Sequence, residues 1–593
     1  MAIIKTIFKK DIENRKKELK EQDKIHNFLG LFKLALVILI GYSTYNFYTK
    51  GQDNKILALI TFELLIFVIA CIYHSKIINR IKNEMGLIKI SENNLKRIDG
   101  SWINFEDIGK EFVDVDHDYA VDLDIVGKKS LFQFLNSTNT YYGRDKFAKD
   151  LLYANFSSSK LRKRQDAIKE LSEDYIYARQ AEHYFSKIGI DDSFPNLIEE
   201  LNHKSVFIKN KFITTFLKFL PYVTCFMITL AFIFRKYNIA MMAVSLLILQ
   251  TFLWLIGFLK THNYFGILNT LPYKINLYDD VISFIEKKDF SCEELKAIQL
   301  TLSSNHDAIK ELFKISDRIA QCHNAIFAII LNIFFLWDYK NAIDLENWKR
   351  NYGGLMENYF KELGEFESLL SFANLPRVCD NTTLPLMLNE DKIFNTKNLG
   401  HPLINNDTRV CNDFSLHNEI FIISGSNMSG KTTFMRTIGI NMILASTGSY
   451  VCANEMCFSN MKLVTSMRIV DNLNEGISTF YAELKRIKKI VDDANKNNNT
   501  LFFIDEIFRG TNSVDRLKGA KGVLEKLQKL GVSGIITTHD LEVCSLEESF
   551  PNIKNYSFCE NYVNDDIHFD YKVKIGKSKT TNAEFLLKKI GIL

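Results

Sequence analysis

Four long apolar runs constrain the fold of this 593-residue chain more than any other feature. Residues 28–48 and 56–73 are separated by the polar segment T-K-G-Q-D-N-K, and residues 212–234 and 239–259 by R-K-Y-N. Each run is close to the roughly 20 residues that a helix needs to cross hydrocarbon. Helices of soluble proteins are rarely apolar on every side. The sequence therefore predicts two transmembrane helical hairpins, with a lipid bilayer as one partner.

Basic residues beside the first hairpin predict its orientation. They precede the first run and follow the second, at Lys5, Lys9, Lys10, Arg15, Lys16, Lys17, Lys20, Lys24, Lys76, Arg80 and Lys82. Flanks rich in Lys and Arg stay on the cytoplasmic side of a membrane. We therefore predict a multi-pass protein of the cell inner (cytoplasmic) membrane, with both termini in the cytoplasm.

Composition limits the remaining possibilities. The chain is too long for one hydrophobic core, so several domains are expected. Its net charge of +4 arises from 74 basic and 70 acidic residues, which argues neither for nor against nucleic acid. The ten cysteines include no C-x-x-C pair, which favours reduced thiols over a zinc site. A fifth apolar run, residues 325–337, contains Asn332 and is too short to span, so we interpret it as a buried core helix.

A phosphate-binding motif follows in the last third of the chain. Residues 425–432, G-S-N-M-S-G-K-T, fit the pattern G-x-x-x-x-G-K-[ST] and come directly after a short apolar run. In such a loop, backbone N–H groups surround phosphates, Lys431 neutralises the β and γ oxygens, and the Thr432 hydroxyl holds Mg²⁺. The residues predicted to bind ATP are Gly425, Ser426, Asn427, Met428, Ser429, Gly430, Lys431, Thr432 and Thr433.

Two further motifs end apolar runs downstream. L-F-F-I-D-E places Asp505 to bind Mg²⁺ through water and Glu506 to orient or deprotonate an attacking water. I-I-T-T-H-D places His539 where a γ-phosphate would be sensed. We therefore predict a P-loop ATPase with Lys431, Glu506 and His539 as catalytic residues, and with Thr432 and Asp505 as metal ligands.

The motifs together resemble those of the MutS family. The loop S-G-S-N-M-S-G-K-T-T-F-M-R contains the Asn-Met pair of MutS proteins, and S-T-F-Y-A-E-L from Ser478 resembles the family's signature segment. The segments around Asp505 and His539 also fit, and the likeness covers residues 396–593, including a C-terminal dimerisation element. A weaker likeness to the helical core and levers occurs at residues 122–144 and 164–171.

This resemblance implies an ATP-driven homodimer. Ser478 of one subunit would contact the γ-phosphate bound by the other. The family's mismatch-reading module is absent, because membrane runs stand in its place and in that of the DNA clamp. The resemblance therefore implies a membrane-anchored MutS-like ATPase, a conformational machine that does not select mismatches. It leaves open whether DNA is bound and which protein partner is moved.

Two other functions compete with this interpretation. One is an ABC-type membrane transport ATPase, although no L-S-G-G-Q-like signature precedes Asp505. The other is a DNA repair or recombination factor tethered to the membrane.

The predicted fold class is mainly α, with a C-terminal α/β domain of the P-loop NTPase (ABC/MutS) type. The predicted domains are a basic cytoplasmic segment (1–27), hairpin 1 (28–73), the first part of the helical core (74–211), hairpin 2 (212–259), the helical levers and second part of the core (260–395), and the ATPase domain with the dimerisation element (396–593).

Overall fold

The computed structural model contains two compact units. The described residues are 2–49, 51, 53–202, 207–208, 210–266, 272–390, 392–468, 479–508, 513–563 and 566–578. The first unit comprises Met1–Asn136, Ala148–His183 and Ser371–Leu593. The second unit comprises Ser137–Phe147 and Tyr184–Leu370.

Helices dominate the described chain up to residue 378. They are α1 (Ala2–Thr49), α2 (Asn54–Asp99), α3 (Leu131–Leu135), α4 (Tyr141–Tyr153), α5 (Ser158–Glu173), α6 (Tyr175–Ile188), α7 (Phe194–Asn202), α8 (Lys211–Phe234), α9 (Tyr237–Phe265), α10 (Pro272–Glu286), α11 (Glu293–Ser304), α12 (His306–Ala320), α13 (Ala325–Phe335), α14 (Trp337–Phe372) and α15 (Leu375–Val378). Four more helices follow among the described residues: α16 (Lys431–Thr447), α17 (Thr479–Lys496), α18 (Ser513–Lys529) and α19 (Leu546–Ser549).

All strands follow α15. They are β1 (Leu386–Leu388), β2 (Ile393–Leu399), β3 (Asn412–His417), β4 (Ile420–Ser424), β5 (Glu455–Ser459), β6 (Lys462–Ser466), β7 (Thr500–Asp505), β8 (Ser533–Thr538), β9 (Ile553–Val563) and β10 (Asp566–Ile575). The described part of the chain is therefore mainly α, with mixed sheets confined to its C-terminal part.

In the first unit, α1 and α2 form a long antiparallel hairpin. Both helices continue well beyond the apolar runs. The predicted basic cytoplasmic segment, residues 1–27, is therefore part of α1 from Ala2 onward. No proline interrupts either helix, and ion pairs join their polar parts. Arg15 Nη1 lies 2.7 Å from Glu84 Oε2, and Lys16 Nζ lies 3.0 Å from Glu92 Oε1. α2 ends at Gly100, whose φ of 83° suits a left-handed cap.

In the second unit, α8 and α9 form a shorter hairpin that turns at Arg235 and Lys236. α1, α2, α8 and α9 are each long and apolar enough to cross a membrane. The four predicted runs are thus confirmed as continuous helices of suitable length and composition.

The interpretation of residues 325–337 as a buried core helix is wrong. A helix forms there, α13, but most of its large apolar side chains are exposed, as the 70% exposure of Ile326 shows. An apolar composition is typical both of a helix buried in a protein core and of a helix whose apolar side chains are exposed to a membrane or a partner. The sequence alone does not distinguish these two kinds of helix.

The larger sheet sets the position of the predicted motifs. Its six strands have the order β10-β9-β4-β8-β7-β6, and all neighbours are parallel except β9 and β10. Every residue of β4, β7 and β8 is buried, as expected for strands covered on both faces. The carboxyl ends of these three strands lie side by side at one edge of the sheet. Gly425 comes directly after β4, Asp505 is the last residue of β7, and His539 comes directly after β8.

Candidate functional site

The site begins at the loop between β4 and α16. Gly425 has a φ of 152° and Gly430 a φ of 105°, values that glycine adopts without strain. A Cβ at Gly425 would lie 2.8 Å from the carbonyl oxygen of Phe558, so glycine is also required by space. α16 starts directly after this loop, and its unpaired N–H groups and dipole favour an anion there.

Lys431, the first residue of α16, is buried beneath the loop. Its Nζ donates to the carbonyl oxygens of Gly425 at 2.8 Å and Ser426 at 2.9 Å. It also lies 3.3 Å from Nε2 of His539. A buried ammonium is costly unless paired, so these carbonyls hold the cation at the loop.

Two carboxylates, those of Asp505 and Glu506, lie at the end of β7 at the same sheet edge. Thr432 Oγ1 donates to Asp505 Oδ2 at 2.9 Å, and Thr537 Oγ1 donates to Asp505 Oδ1. Glu506 Oε1 lies 2.6 Å from Nε2 of His539. Because this nitrogen also faces Lys431, it either donates to Glu506 or accepts from Lys431. The structure thus brings together Lys431, Thr432, Asp505, Glu506 and His539.

A cavity of about 420 Å³ opens beside this cluster. One side is formed by Asn427 to Phe434 and by Glu506. The remaining lining is mixed: Leu399, His401, Ile404, Thr408, Val410, Asn412, Phe558 and Tyr571. The cavity can hold a ligand that has an anionic group at the loop and both polar and apolar groups elsewhere.

His401 lines this cavity as a neutral side chain. Burial, with the nearby Arg436 and Arg409 guanidinium groups, lowers the pKa of His401 from 6.5 to about 3. Its Nδ1 accepts a hydrogen bond from the N–H of Leu403 at 3.2 Å, which fits an unprotonated Nδ1. The imidazole therefore offers the cavity a polar but uncharged surface.

The residues at the loop suit a hydrated Mg²⁺ ion with phosphates. Thr432 and Asp505 supply the oxygen ligands that Mg²⁺ prefers, and Mg²⁺ in phosphate sites takes only one or two protein ligands. Ser429 Oγ is buried without a hydrogen-bond partner and faces the loop. Across the described residues, no group of three or more His, Cys, Asp or Glu side chains could hold a metal, which is compatible with such a sparse site.

The other predicted residues are distributed unevenly. Asn427, Met428, Ser429, Gly430 and Thr433 line the cavity. Ser426 donates from Oγ to Glu560 Oε2 at 2.8 Å instead. Ser478 and the dimerisation element from residue 581 lie outside the described residues.

Two further residues position the carboxylates and were not predicted. Thr537 lies opposite Asp505 in the parallel register of β7 and β8, and its Oγ1 also accepts from the Glu506 N–H at 3.1 Å. Glu483 of α17 is buried and accepts from the Phe508 N–H in the turn after β7. The motif T-T-H contains Thr537, so strand register could have indicated it. Glu483 is the Glu of the S-T-F-Y-A-E-L segment, but the motif gave no sign of its contact with the turn after β7.

The buried strand ends, the glycine loop and the paired carboxylates define a candidate nucleotide-binding domain. A family profile described as MutS domain V matches residues 421–584. The C-terminal part of the chain is therefore similar to domain V of the MutS family.

Curated relatives agree with this assignment. "DNA mismatch repair protein MutS" of Alkaliphilus oremlandii is 27% identical over 291 residues, which cover 48% of this chain and 32% of that protein. The protein of the same name from Acetivibrio thermocellus is 28% identical over 352 residues, covering 57% and 37%. That of Clostridium novyi is 29% identical over 296 residues, covering 48% and 31%. The chain spans about a third of the length of these relatives.

Proposed function

We propose that this chain is a Mg²⁺-dependent ATPase of the P-loop, MutS type that is anchored in a membrane. One observation carries the proposal: Lys431, Thr432, Asp505, Glu506 and His539 converge at the loop between β4 and α16, and three of them line the cavity beside it. Each has the chemistry that ATP hydrolysis requires, and each lies at the end of a buried strand or the start of a helix.

The proposed roles follow from the positions of the side chains. The loop N–H groups and Lys431 bind the phosphates, and Lys431 exchanges its contacts with the Gly425 and Ser426 carbonyls for phosphate oxygens. Thr432 and Asp505 would hold Mg²⁺, which when bound neutralises phosphate charge. Glu506 orients the attacking water, and His539, 2.6 Å from Glu506, holds that carboxylate in place.

Two substitutions separate binding from hydrolysis. Lys431→Ala removes the buried cation, so we expect loss of fluorescent ATP analogue binding and of phosphate release. Glu506→Gln keeps the size of the side chain but removes the carboxylate, so binding should persist while turnover falls by about 10²-fold or more. Lys526→Ala, on the exposed side of α18, serves as the control. Wild-type hydrolysis by both site variants would show that the site is assigned wrongly.

The membrane part of the proposal rests on α1, α2, α8 and α9. Apolar side chains along these helices are exposed, for example Phe28 and Phe226, and such surfaces require an apolar surrounding. With two hairpins and basic flanks, both termini and the nucleotide site would face the cytoplasm of the inner membrane. Release of the protein by alkaline carbonate without detergent would refute the anchoring.

The similarity to MutS proteins supports a homodimer that closes when ATP binds, with Ser478 completing the partner's site. Sedimentation of the detergent-solubilised protein with ATP and Mg²⁺ should give a dimer, and a monomer under those conditions would contradict this. DNA remains a candidate partner because the curated relatives are named for DNA mismatch repair. A response of the ATPase rate to added DNA would favour a membrane-tethered repair or recombination factor.

A further inference from the structure

Helix α13 presents an apolar surface that is exposed in the described part of the second unit. Its sequence is AIFAIILNIFF, and its large exposed side chains are Ile326, Phe327, Ile329, Ile330, Phe334 and Phe335. Ile326 is 70% exposed and Phe327 59%. A contiguous apolar surface of this kind marks a contact with another apolar phase or partner.

The polar residue within α13 does not weaken this apolar character. Asn332 is fully buried, and its Nδ2 donates to the Ala328 carbonyl at 3.0 Å. Its Oδ1 accepts from the N–H of Asp338 at 2.9 Å, so the side chain caps the start of α14. Asn332 is therefore satisfied locally, and α13 needs no water along its exposed side.

The C-terminal end of α13 is attached to the hairpin of α8 and α9. Leu336, in the left-handed turn after α13, is buried against Leu217 and Leu220 of α8. Trp254 Nε1 donates to Asp338 Oδ2 at 3.1 Å. The Tyr339 hydroxyl donates to the Leu253 carbonyl of α9 at 3.1 Å. These contacts fix where along the hairpin α13 lies.

That position corresponds to one boundary of a bilayer. Leu217 lies about 26 Å from the end of α8 at Phe234, and Trp254 lies about 26 Å from the start of α9 at Tyr237, at 1.5 Å per residue. The hydrocarbon core of a bilayer is about 30 Å thick. If α8 and α9 span it, the attachment point of α13 lies at the level where hydrocarbon meets the headgroups on the opposite side from the turn.

The length of α13 fits a helix in that boundary. Its 11 residues are too few to cross a bilayer. It meets α12 at an angle of 109°, so the two do not form one straight span. A short apolar helix held at this level can bury its side chains among acyl chains while its ends remain near the headgroups.

We infer that α13 is a membrane-inserted interfacial helix whose exposed side chains contact the acyl chains of the bilayer spanned by α8 and α9. The inference rests on the proposed membrane anchoring, and the bilayer is its committed partner because the end of α13 is held against the two helices that would span it. It would give the second unit a membrane contact in addition to its spanning helices.

Site-specific photo-crosslinking tests this contact in the full-length protein, reconstituted in phospholipid nanodiscs. The photoreactive analogue p-benzoylphenylalanine is placed at Phe327 of α13 in one variant. A second variant carries it at Phe226 of α8, which is 62% exposed on the hairpin. A third carries it at Leu355 of α14, which is 49% exposed but lies beyond the hairpin attachment. Intact mass spectrometry after irradiation measures the lipid adducts.

We expect the lipid adduct yield at Phe327 to match that at Phe226 and to exceed that at Leu355 several-fold. An adduct at Phe226 without one at Phe327 would overturn the inference while leaving the membrane anchoring intact. A covalent dimer at Phe327 in place of the lipid adduct would also overturn it, since a second copy would then cover α13. Absence of lipid adducts at both Phe226 and Phe327 would overturn the anchoring itself.

Discussion

At the scale of single residues, His401 links the stability of the first unit to pH. The folded pKa of about 3 lies below the usual 6.5, so between these values the unfolded chain binds the extra proton. Unfolding therefore becomes more favourable as pH falls through this window, by up to about 1.4 kcal/mol per pH unit. Above pH 6.5 the effect disappears, because His401 is neutral in both states.

Replacing His401 should remove this dependence. We expect His401→Gln to show a shallower fall in melting temperature between pH 6.5 and 4.5 than the wild type, measured by thermal denaturation in detergent. His417→Gln, which changes an exposed residue at the end of β3, is the matched control and should retain the wild-type slope. Equal slopes for wild type and His401→Gln would show that His401 titrates freely in the folded protein.

The predicted site residues differ in how far sequence could locate them. Lys431, Thr432, Asp505, Glu506 and His539 follow apolar strands, and parallel strands bring their carboxyl ends to one edge, so their proximity follows from local pattern. Thr537 donates a hydrogen bond to Asp505 because β7 and β8 are in register, and Glu483 accepts one from the Phe508 N–H because α17 packs beside the turn after β7. Those contacts depend on the assembled fold, which is why motif spacing did not indicate them.

At the scale of elements, two adjacent glycines in α14 have opposite surroundings. A Cβ on Gly353 would overlap the carbonyl oxygen of Leu201 in α7, whereas a Cβ on Gly354 meets nothing within 4 Å. Gly353→Ala should therefore force α7 and α14 apart and destabilise the second unit by about 1 to 3 kcal/mol. Gly354→Ala should stabilise α14 by up to about 1 kcal/mol, because alanine favours helix.

The pair forms its own control, since the same substitution is made one residue apart. Urea denaturation followed by far-UV circular dichroism should move the midpoint down for Gly353→Ala and up for Gly354→Ala. Equal shifts for the two variants would mean that α7 does not approach α14 closely at Leu201.

Element boundaries show where sequence reasoning failed. The apolar runs fixed the existence of α1, α2, α8 and α9, because about 20 apolar residues are hard to accommodate otherwise. The polar ends of α1 and α2 contain no long apolar run that would predict a helix. In the structure they are helical and are joined by ion pairs such as that of Arg15 with Glu84. α13 was misjudged because its length excluded a span but did not exclude a surface facing lipid.

At the scale of the whole molecule, the charge distribution bears on DNA binding. In the basic cluster of α17, Arg486 Nη1 lies 3.1 Å from Asp122 and Lys489 Nζ 2.6 Å from Asp118. In a second basic cluster, K-V-K-I-G-K at residues 572–577, Lys574 Nζ lies 2.8 Å from Asp570. These cations are partly neutralised within the first unit, so they offer weaker phosphate contacts than free lysines and arginines would.

The final prediction is that any DNA duplex is bound without preference for a mismatch. Long apolar helices occupy the places where the MutS resemblance would put the mismatch-reading module and the DNA clamp, so the expected DNA contacts of the described residues are those from Lys and Arg to phosphate. Such contacts carry no base information and weaken steeply with salt. A competition titration at near-physiological salt, with duplexes that differ by one G·T pair, should give equal affinities. A preference above about tenfold, about 1.4 kcal/mol, would require a base-reading surface within the segments assigned here to the membrane or the helical core.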